Sequence, residues 1–425
     1  MSETIFRERA IELDNLDSLA KYKHLFTNDE QVIYLDGNSL GKLPKATINQ
    51  MHGVIQEEWG NRLIRSWNEK WIDLSKKHAA KIAKIVGARD DEIFIGDSTS
   101  LNLYKLAFAA LKWHQGKHEI LTDRLNFPTD IYVLQGLIQE HFQKHSLHYL
   151  ESQDGISTTL KEIESKISKN TSLLSLSHVT YKSAFMYDMK KVNQMARSNG
   201  SMVLWDLSHA VGAVPIELNK WHSDLAVGCT YKYLNGGPGA PAFLYVKKEL
   251  QETLHNPIWS WFAHQKPFDF ASDFEAASDI QKFAIGTPSI LSLSAMKHGL
   301  KITTEAGLLN LRKKSIQQGV FLMEMIAHFL IPLGFTIASP TNAEQRGSHI
   351  SIQHPKAYAI NRAMIDPPSN TKAIIPDFRP PNNIRLGIAP LYNSYFDLFE
   401  SIQRIMQIVV EKEFEKFENV KNIVP

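Results

Sequence analysis

Residues 173–209 read LLSLSHVTYKSAFMYDMKKVNQMARSNGSMVLWDLSH. The two ends, Leu173 to Ser177 and Met202 to Leu207, are mostly apolar and of strand length. Between them, Met189 to Ser198 carries its apolar residues at helical spacing. Strand, helix and strand in that order make a crossover unit, and a crossover is what two parallel strands require.

The same alternation continues upstream. Glu92 to Gly96 is strand-like and precedes the helical run Leu101 to Trp113. Glu119 to Thr122 is strand-like and leads, through a Pro-containing turn, to the helical run Ile131 to Lys144. Leu147 to Leu150 reads as a further strand. Apolar strands alternating with helices predict an α/β fold with a mostly parallel sheet covered on both faces. Nearer the N-terminus, Val32 to Leu35 is a short strand that ends at a Gly-marked turn, and Pro44 to about Lys84 has a helical pattern.

Downstream the pattern changes. A long helical region near Leu291 to His328 leads to short strands at Phe335 to Ala338, Ser348 to Gln353 and Ile384 to Ile388, and then to a helix ending near Phe417. Pro376, Pro380 and Pro381 mark a loop. This suits a smaller α+β domain, with the Leu291 helix as the bridge into it. The expected division is an N-terminal segment 1–45 packing on the small domain, a large domain 46–300 and a small domain 301–425. No internal repeat is evident.

Composition excludes some roles. Of 425 residues, 43% are hydrophobic and 22% charged, and the formal net charge is +2. That balance offers no bulk attraction for nucleic acid or an anionic membrane. Cys229 is the single cysteine, so neither an internal disulfide nor a Cys-based metal site is expected, and a reducing cytoplasm fits. The most apolar long stretch, Val320 to Gly334, is interrupted by Glu324 and His328 and reads as a buried or amphipathic helix.

Three pieces carry chemistry. Asp206 stands where an apolar strand ends, followed by Ser208 and His209. Ligands of open α/β sheets bind at such carboxyl ends. A carboxylate there can keep a pyridinium nitrogen protonated, which makes the ring a better electron sink. Alone, such an aspartate more often caps the next segment. Lys232 lies in TYKYLNGGPG, between two tyrosines and after the apolar run Leu225 to Gly228. A lysine before a Gly-rich turn is usually a solvated charge. Apolar surroundings favour the neutral amine, which is the nucleophile a covalent role needs. The third piece, GDSTSLN from Gly96 to Asn102, joins a strand to a helix. Its hydroxyls could cap the helix or, with free N–H groups, hold a phosphate.

Each signal is weak alone. Their order, with the lysine about 25 residues after the acid, resembles the aspartate aminotransferase-like (type I) pyridoxal 5'-phosphate enzymes. Longer stretches narrow the resemblance: WDLSHAVGAVPIELNKWHSDLAVGCTYKYLNGGPGAP from Trp205, LDGNSLG from Leu35, NFPTD from Asn126, WFAH from Trp261, GTPSIL from Gly286 and RLGIAPLYNSYFD from Arg385. Together these resemble the kynureninases, over nearly the whole chain. The resemblance implies hydrolysis of kynurenine or 3-hydroxykynurenine to anthranilate or 3-hydroxyanthranilate and alanine, in tryptophan catabolism or pyridine nucleotide synthesis.

The resemblance also implies roles. Lys232 is the Schiff-base lysine and Asp206 the partner of the ring nitrogen, with His209 beside it. Tyr231 is a phosphate ligand and proton donor. Thr99 and Ser100 bind phosphate. Phe127 stacks on the ring, with Pro128, Thr129 and Asp130 completing that loop, and Ser177 is a further cofactor contact. Trp261 and Thr287 reach the neighbouring subunit's phosphate, which implies a homodimer. Animal members often carry Asn where Thr287 stands. Arg385 clamps the substrate carboxylate, which suits a planar fork; Arg379 is the nearby competitor for that role, and a surface role is expected for it. No metal site is expected. The rivals are a cysteine desulfurase, an aminotransferase and a non-catalytic protein of the same fold. For the first, Cys229 is badly placed, three residues before Lys232.

Overall fold

The computed structural model describes residues 2–418. Its strands, in chain order, are β1 (Val32–Tyr34), β2 (Ile93–Ile95), β3 (Glu119–Asp123), β4 (Ser146–Leu150), β5 (Thr171–Ser177), β6 (Met202–Asp206), β7 (Leu225–Gly228), β8 (Phe243–Val246), β9 (Thr336–Ile337), β10 (His349–Gln353), β11 (Ala373–Ile375), β12 (Asp377–Arg379) and β13 (Asn383–Gly387). Seven of them form one sheet in the order β2-β8-β7-β6-β5-β3-β4. Within it β8 alone runs against its neighbours. The sheet is therefore mostly parallel, as the alternating runs predict.

Both faces are covered. In β6, Val203 and Trp205 enter one apolar cluster, while Met202 and Leu204 enter another on the opposite face. This alternation is the strand's two-residue period, with both faces apolar because both are packed. At the β3/β5 junction the chain direction splits: β3 leads outward to β4, and β5 leads the other way to β6. The loops beyond these strand ends diverge, leaving the crevice where open sheets bind ligands.

A second, antiparallel sheet runs β12-β13-β10-β9, and β1 pairs with β11 in parallel. Its apolar cluster combines Ile350, Ile384 and Leu386 with Phe321, Leu322 and Met325, and with Phe6 and Ala10 of the helix Glu3–Asn15. The segment Leu308–Leu333 has the length and composition to cross a membrane. Five of its side chains, Phe321, Leu322, Met325, Ile326 and Leu330, instead pack inside this cluster.

Several elements differ from the expectations. The long helix near Leu291 to His328 is two helices, Ile290–Ala306 and Leu308–Met325, broken at Gly307 with φ 78°. The first of these runs through residue 300. The helical pattern from Pro44 to Lys84 is also interrupted, by wider turns at Val54–Arg62 and Trp67–Trp71. The chain folds back there so that the Glu58 carboxylate can accept from Lys70 Nζ (2.9 Å) and Trp71 Nε1 (2.8 Å). The helix expected from Ile131 starts at Pro128. Proline fits a first helical position, where its missing N–H has no partner to lose. Strands β11 and β12 lie where a loop was expected, because three-residue strands leave too short a period to read.

Candidate active site

Four strand ends meet at the crevice. Ser177 and Asp206 are register partners at the ends of β5 and β6. The Ser177 N–H donates to Asn126 Oδ1 (2.9 Å), which ties the loop after β3 to this edge. Asp206 is held by Ser208, whose N–H (2.9 Å) and hydroxyl (2.6 Å) both donate to Oδ1. Oδ2 takes neither bond and is left for another partner. Burial raises the pKa of Asp206, against the lowering effects of Ser208 and Lys232.

Lys232 comes to this acid on a tight loop after β7. The Asn235 N–H donates to the Lys232 carbonyl (2.9 Å), with Asn235 at φ 54°, and the Gly236 N–H donates to the Thr230 carbonyl (2.9 Å). The Ser208 hydroxyl also accepts from the Cys229 N–H (3.2 Å), so one residue braces both the acid and the lysine loop. Lys232 is buried, and its Nζ shares a 2.9 Å hydrogen bond with His209 Nε2. Burial, then the Lys232 charge, keeps His209 neutral. The Lys232 amine lies 5.8 Å from the centre of the Tyr231 ring, and burial holds the Tyr231 hydroxyl in its protonated form.

Asp130 sits in the first turn of Pro128–Glu140. It is buried, its Oδ2 has no partner, and its pKa is raised by burial and then by the charge of Asp206. Phe127 is half exposed and meets Tyr181 edge-on at 5.3 Å. Pro128 and Thr129 are half-buried beside it.

Thr99 and Ser100 are the first two residues of Thr99–Trp113, while Ser98 is the cap, its hydroxyl accepting from the Leu101 N–H (3.3 Å). Their own hydroxyls are therefore not the cap. Thr287 lines a 490 Å³ cavity together with Gly96, Asp97 and Phe262. Trp261 packs against Phe262, Phe268 and Phe270 and is partly exposed. Neither Trp261 nor Thr287 shares a hydrogen bond or ring contact with Lys232 among the described residues.

Arg385 is 1% exposed. Its guanidinium donates to the Tyr181 carbonyl (2.7 Å), the Ser39 hydroxyl (2.9 Å) and the Asp377 carboxylate, and burial pushes its pKa down to about 10. Arg379 is not a free surface charge: its Nη2 lies 3.0 Å from the same Asp377 oxygen. Sequence reasoning missed Asp377, and also His349 and Asp36. His349 is fully buried with both ring nitrogens unpartnered, 5.7 Å from the His209 ring. Asp36, half-buried with a buried and unpartnered Oδ1, feels the charges of Arg385, Arg379 and Lys232. Asp36 had a signal, since it lies inside LDGNSLG. No cluster of three or more His, Cys, Asp or Glu side chains able to hold a metal occurs among the described residues.

The chain matches the family model described as aminotransferase class-V over residues 33–364. It is 36% identical over 411 residues to kynureninase from Pseudomonas fluorescens, covering 96% of both chains. Kynureninase from Burkholderia mallei is 37% identical over 409 residues, with 95% of each covered. The chain belongs to the kynureninase family.

A cysteine desulfurase from Thermococcus onnurineus superposes with a TM-score of 0.77 at 18% identity, over 92% of this chain and 98% of that one. That likeness concerns the fold alone. Desulfurase chemistry needs a reachable thiolate, and here Cys229 is buried, its Sγ lies 3.7 Å from the Ser208 carbonyl, and burial raises its pKa.

Proposed function

We propose that this chain is a kynureninase that hydrolyses the Cβ–Cγ bond of L-kynurenine or 3-hydroxykynurenine with pyridoxal 5'-phosphate. The observation that carries this reading is the buried Lys232 amine on His209, set at the strand ends beside Asp206 and Asp130. The residues fit the cofactor. Asp206 presents one unbonded carboxylate oxygen, Asp130 Oδ2 and His209 Nδ1 are buried without partners, and two helix-start hydroxyls are free of capping. Lys232 would hold the cofactor covalently, Asp206 its ring nitrogen, and Thr99 and Ser100 its phosphate. Phe127 with Pro128, Thr129, Asp130 and Ser177 would line the ring. When bound, the cofactor supplies an electron sink for the carbons next to the substrate amine.

The chain's own groups divide the remaining work. Neutral His209 shares a hydrogen bond with the Lys232 amine and so orients it. The protonated Tyr231 hydroxyl can give one to the departing carbon. Arg385 orients the substrate by its carboxylate. In the same reading the enzyme is a cytoplasmic homodimer in which Trp261 and Thr287 reach the neighbour's phosphate, with a large domain 46–300 and a small domain 301–425.

The test is turnover of L-kynurenine and 3-hydroxykynurenine side by side, with the aromatic product followed by fluorescence. Release of anthranilate or its hydroxylated form together with alanine is expected. Amino-group transfer to an added keto acid, without aromatic product, would replace this reading with an aminotransferase.

A further inference from the structure

We infer that Asp377 is the resting partner of Arg385 and yields it to the incoming carboxylate by remaining on Arg379. The inference rests on the proposed role of Arg385 as the substrate's carboxylate clamp. Asp377 and Arg385 are register partners across β12 and β13. Paired residues of adjacent antiparallel strands share a face, and so do residues two apart. Arg379 therefore joins them on one face of the sheet.

A single carboxylate oxygen serves all three neighbours. Asp377 Oδ2 contacts Arg385 Nη2, lies 3.0 Å from Arg379 Nη2 and accepts from the Ser39 hydroxyl at 3.3 Å. The two guanidiniums differ in their need for it. The Arg385 side chain is 1% exposed and that of Arg379 30%. A buried guanidinium without an anion is heavily penalised, whereas a part-exposed one keeps much of its hydration. Asp377 therefore neutralises Arg385 while no substrate is present.

The donor geometry then fixes how a carboxylate enters. Arg385 Nε is buried and unpartnered, while Nη1 is committed to the Tyr181 carbonyl. A two-pronged grip on a carboxylate uses adjacent donors. The adjacent pair with a free member is Nε and Nη2, and Nη2 is the atom that Asp377 holds. Nη2 also donates to the Ser39 hydroxyl, so both of its hydrogens are engaged, and a carboxylate that takes Nε and Nη2 must displace one of the two acceptors, of which Asp377 is the one with like charge. Arg379, whose own Nε is also unpartnered, is in place to keep that displaced charge. Asp36 adds a second carboxyl group to this cluster, and both guanidiniums feel its charge. Asp377 and Arg379 are thus positioning residues that tune the affinity of the clamp.

The experiment measures calorimetric binding of benzoate, an unreactive monocarboxylate, to the cofactor-loaded protein. Asp377→Asn removes the internal competitor and should tighten benzoate about tenfold. Arg379→Ala leaves Asp377 no alternative partner and should weaken it about tenfold. In the double variant the Arg379 effect should vanish, with affinity equal to that of Asp377→Asn. Arg385→Gln should abolish binding. Weaker binding by Asp377→Asn, an Arg379 effect that persists in the double variant, or no benzoate binding by any variant would overturn the inference. If Asp377→Asn does not fold, Arg379→Ala decides alone, and unchanged affinity there counts against the handover. Kynurenine turnover by the unaltered enzyme is scored separately, so a failed hydrolase reading and a failed handover are distinguishable.

Discussion

Lys232 makes no ion pair among the described residues; its amine shares a hydrogen bond with the neutral imidazole of His209 and lies over the Tyr231 ring. Three carboxyl groups (Asp206, Asp130 and Asp36) nevertheless feel its charge. An amine so placed can exchange a proton or a covalent partner without first breaking a salt bridge. Lys232→Ala should therefore abolish the cofactor adduct that borohydride fixes to the chain, read by mass spectrometry. Activity should fall beyond the roughly 100- to 10,000-fold of a lost acid or base, and normal turnover in that variant would sink the assignment. A second prediction concerns His178, whose ring lies between Trp205 and Trp221 and whose pKa burial and Arg312 lower to about 3. For a base with a depressed folded pKa, the stability contribution is full above its ordinary value of 6.5 and is lost as pH falls toward 3. Buried carboxyls with raised pKa values have the opposite sign, so the contrast with His178→Gln isolates the imidazole. Between pH 6 and 4 the wild type should lose stability relative to the variant by ~1.4 kcal/mol per pH unit in urea unfolding. A pH-independent difference would refute this.

Among the elements, the loop carrying Lys232 is shaped from outside the main sheet. Gly41 of LDGNSLG donates its N–H to the Tyr231 carbonyl at 2.8 Å. A Cβ at Gly41 would overlap the Lys232 carbonyl oxygen and lie 2.8 Å from Asn235 Cα. In the middle of the same motif, Asn38 packs so closely on Gly387 that a Cβ there would overlap its side chain. The motif is thus a wedge between the lysine loop and the strand that carries Arg385. Of the three atoms opposing Gly41, the Asn235 Oδ1 can turn away, but the Lys232 carbonyl oxygen and Asn235 Cα are backbone and have no rotamer with which to yield. Gly41→Ala should cost ~1–3 kcal/mol and weaken cofactor affinity, both read from cofactor absorbance during urea titration. An unchanged midpoint together with unchanged affinity would dismiss the wedge. The wedge was legible as a motif but not as a contact, since nothing in LDGNSLG says which loop it faces.

Across the whole molecule, the N-terminal segment fastens two cores. Phe26 joins the cluster around the seven-stranded sheet, while Phe6 and Ala10 join the cluster of the second sheet. Asp14 caps the helix Tyr395–Val410, accepting from the N–H groups of Tyr395 (2.7 Å) and Phe396 (2.9 Å). Asp17 pairs with Lys314 at 2.7 Å, both side chains nearly buried, and the same ammonium donates to the Pro390 carbonyl (2.6 Å). Breaking a buried pair strands one charge, so Asp17→Ala should destabilise the protein by ~3–5 kcal/mol. A loss under ~1 kcal/mol in urea unfolding would show that the pair is solvated.

By itself the sequence determined the parallel sheet, because apolar runs such as Leu173 to Ser177 and Met202 to Leu207 separated by a helical run have one economical arrangement. It also determined the candidate lysine and acid, through their neighbours along the chain and their likeness to a known family. The short strands β11 and β12 and the break at Gly307 were not legible, because three residues carry too little periodicity and one glycine is tolerated in many helices. Only the tertiary structure decided who meets whom. His209 reaches Lys232 across 23 residues, and Ser39 reaches Arg385 across 346. Asp377 finds Arg385 through strand register, not through any local pattern. Local sequence sets backbone preference and burial, but partners distant along the chain are chosen by packing, and in this protein packing assembles the carboxylate clamp.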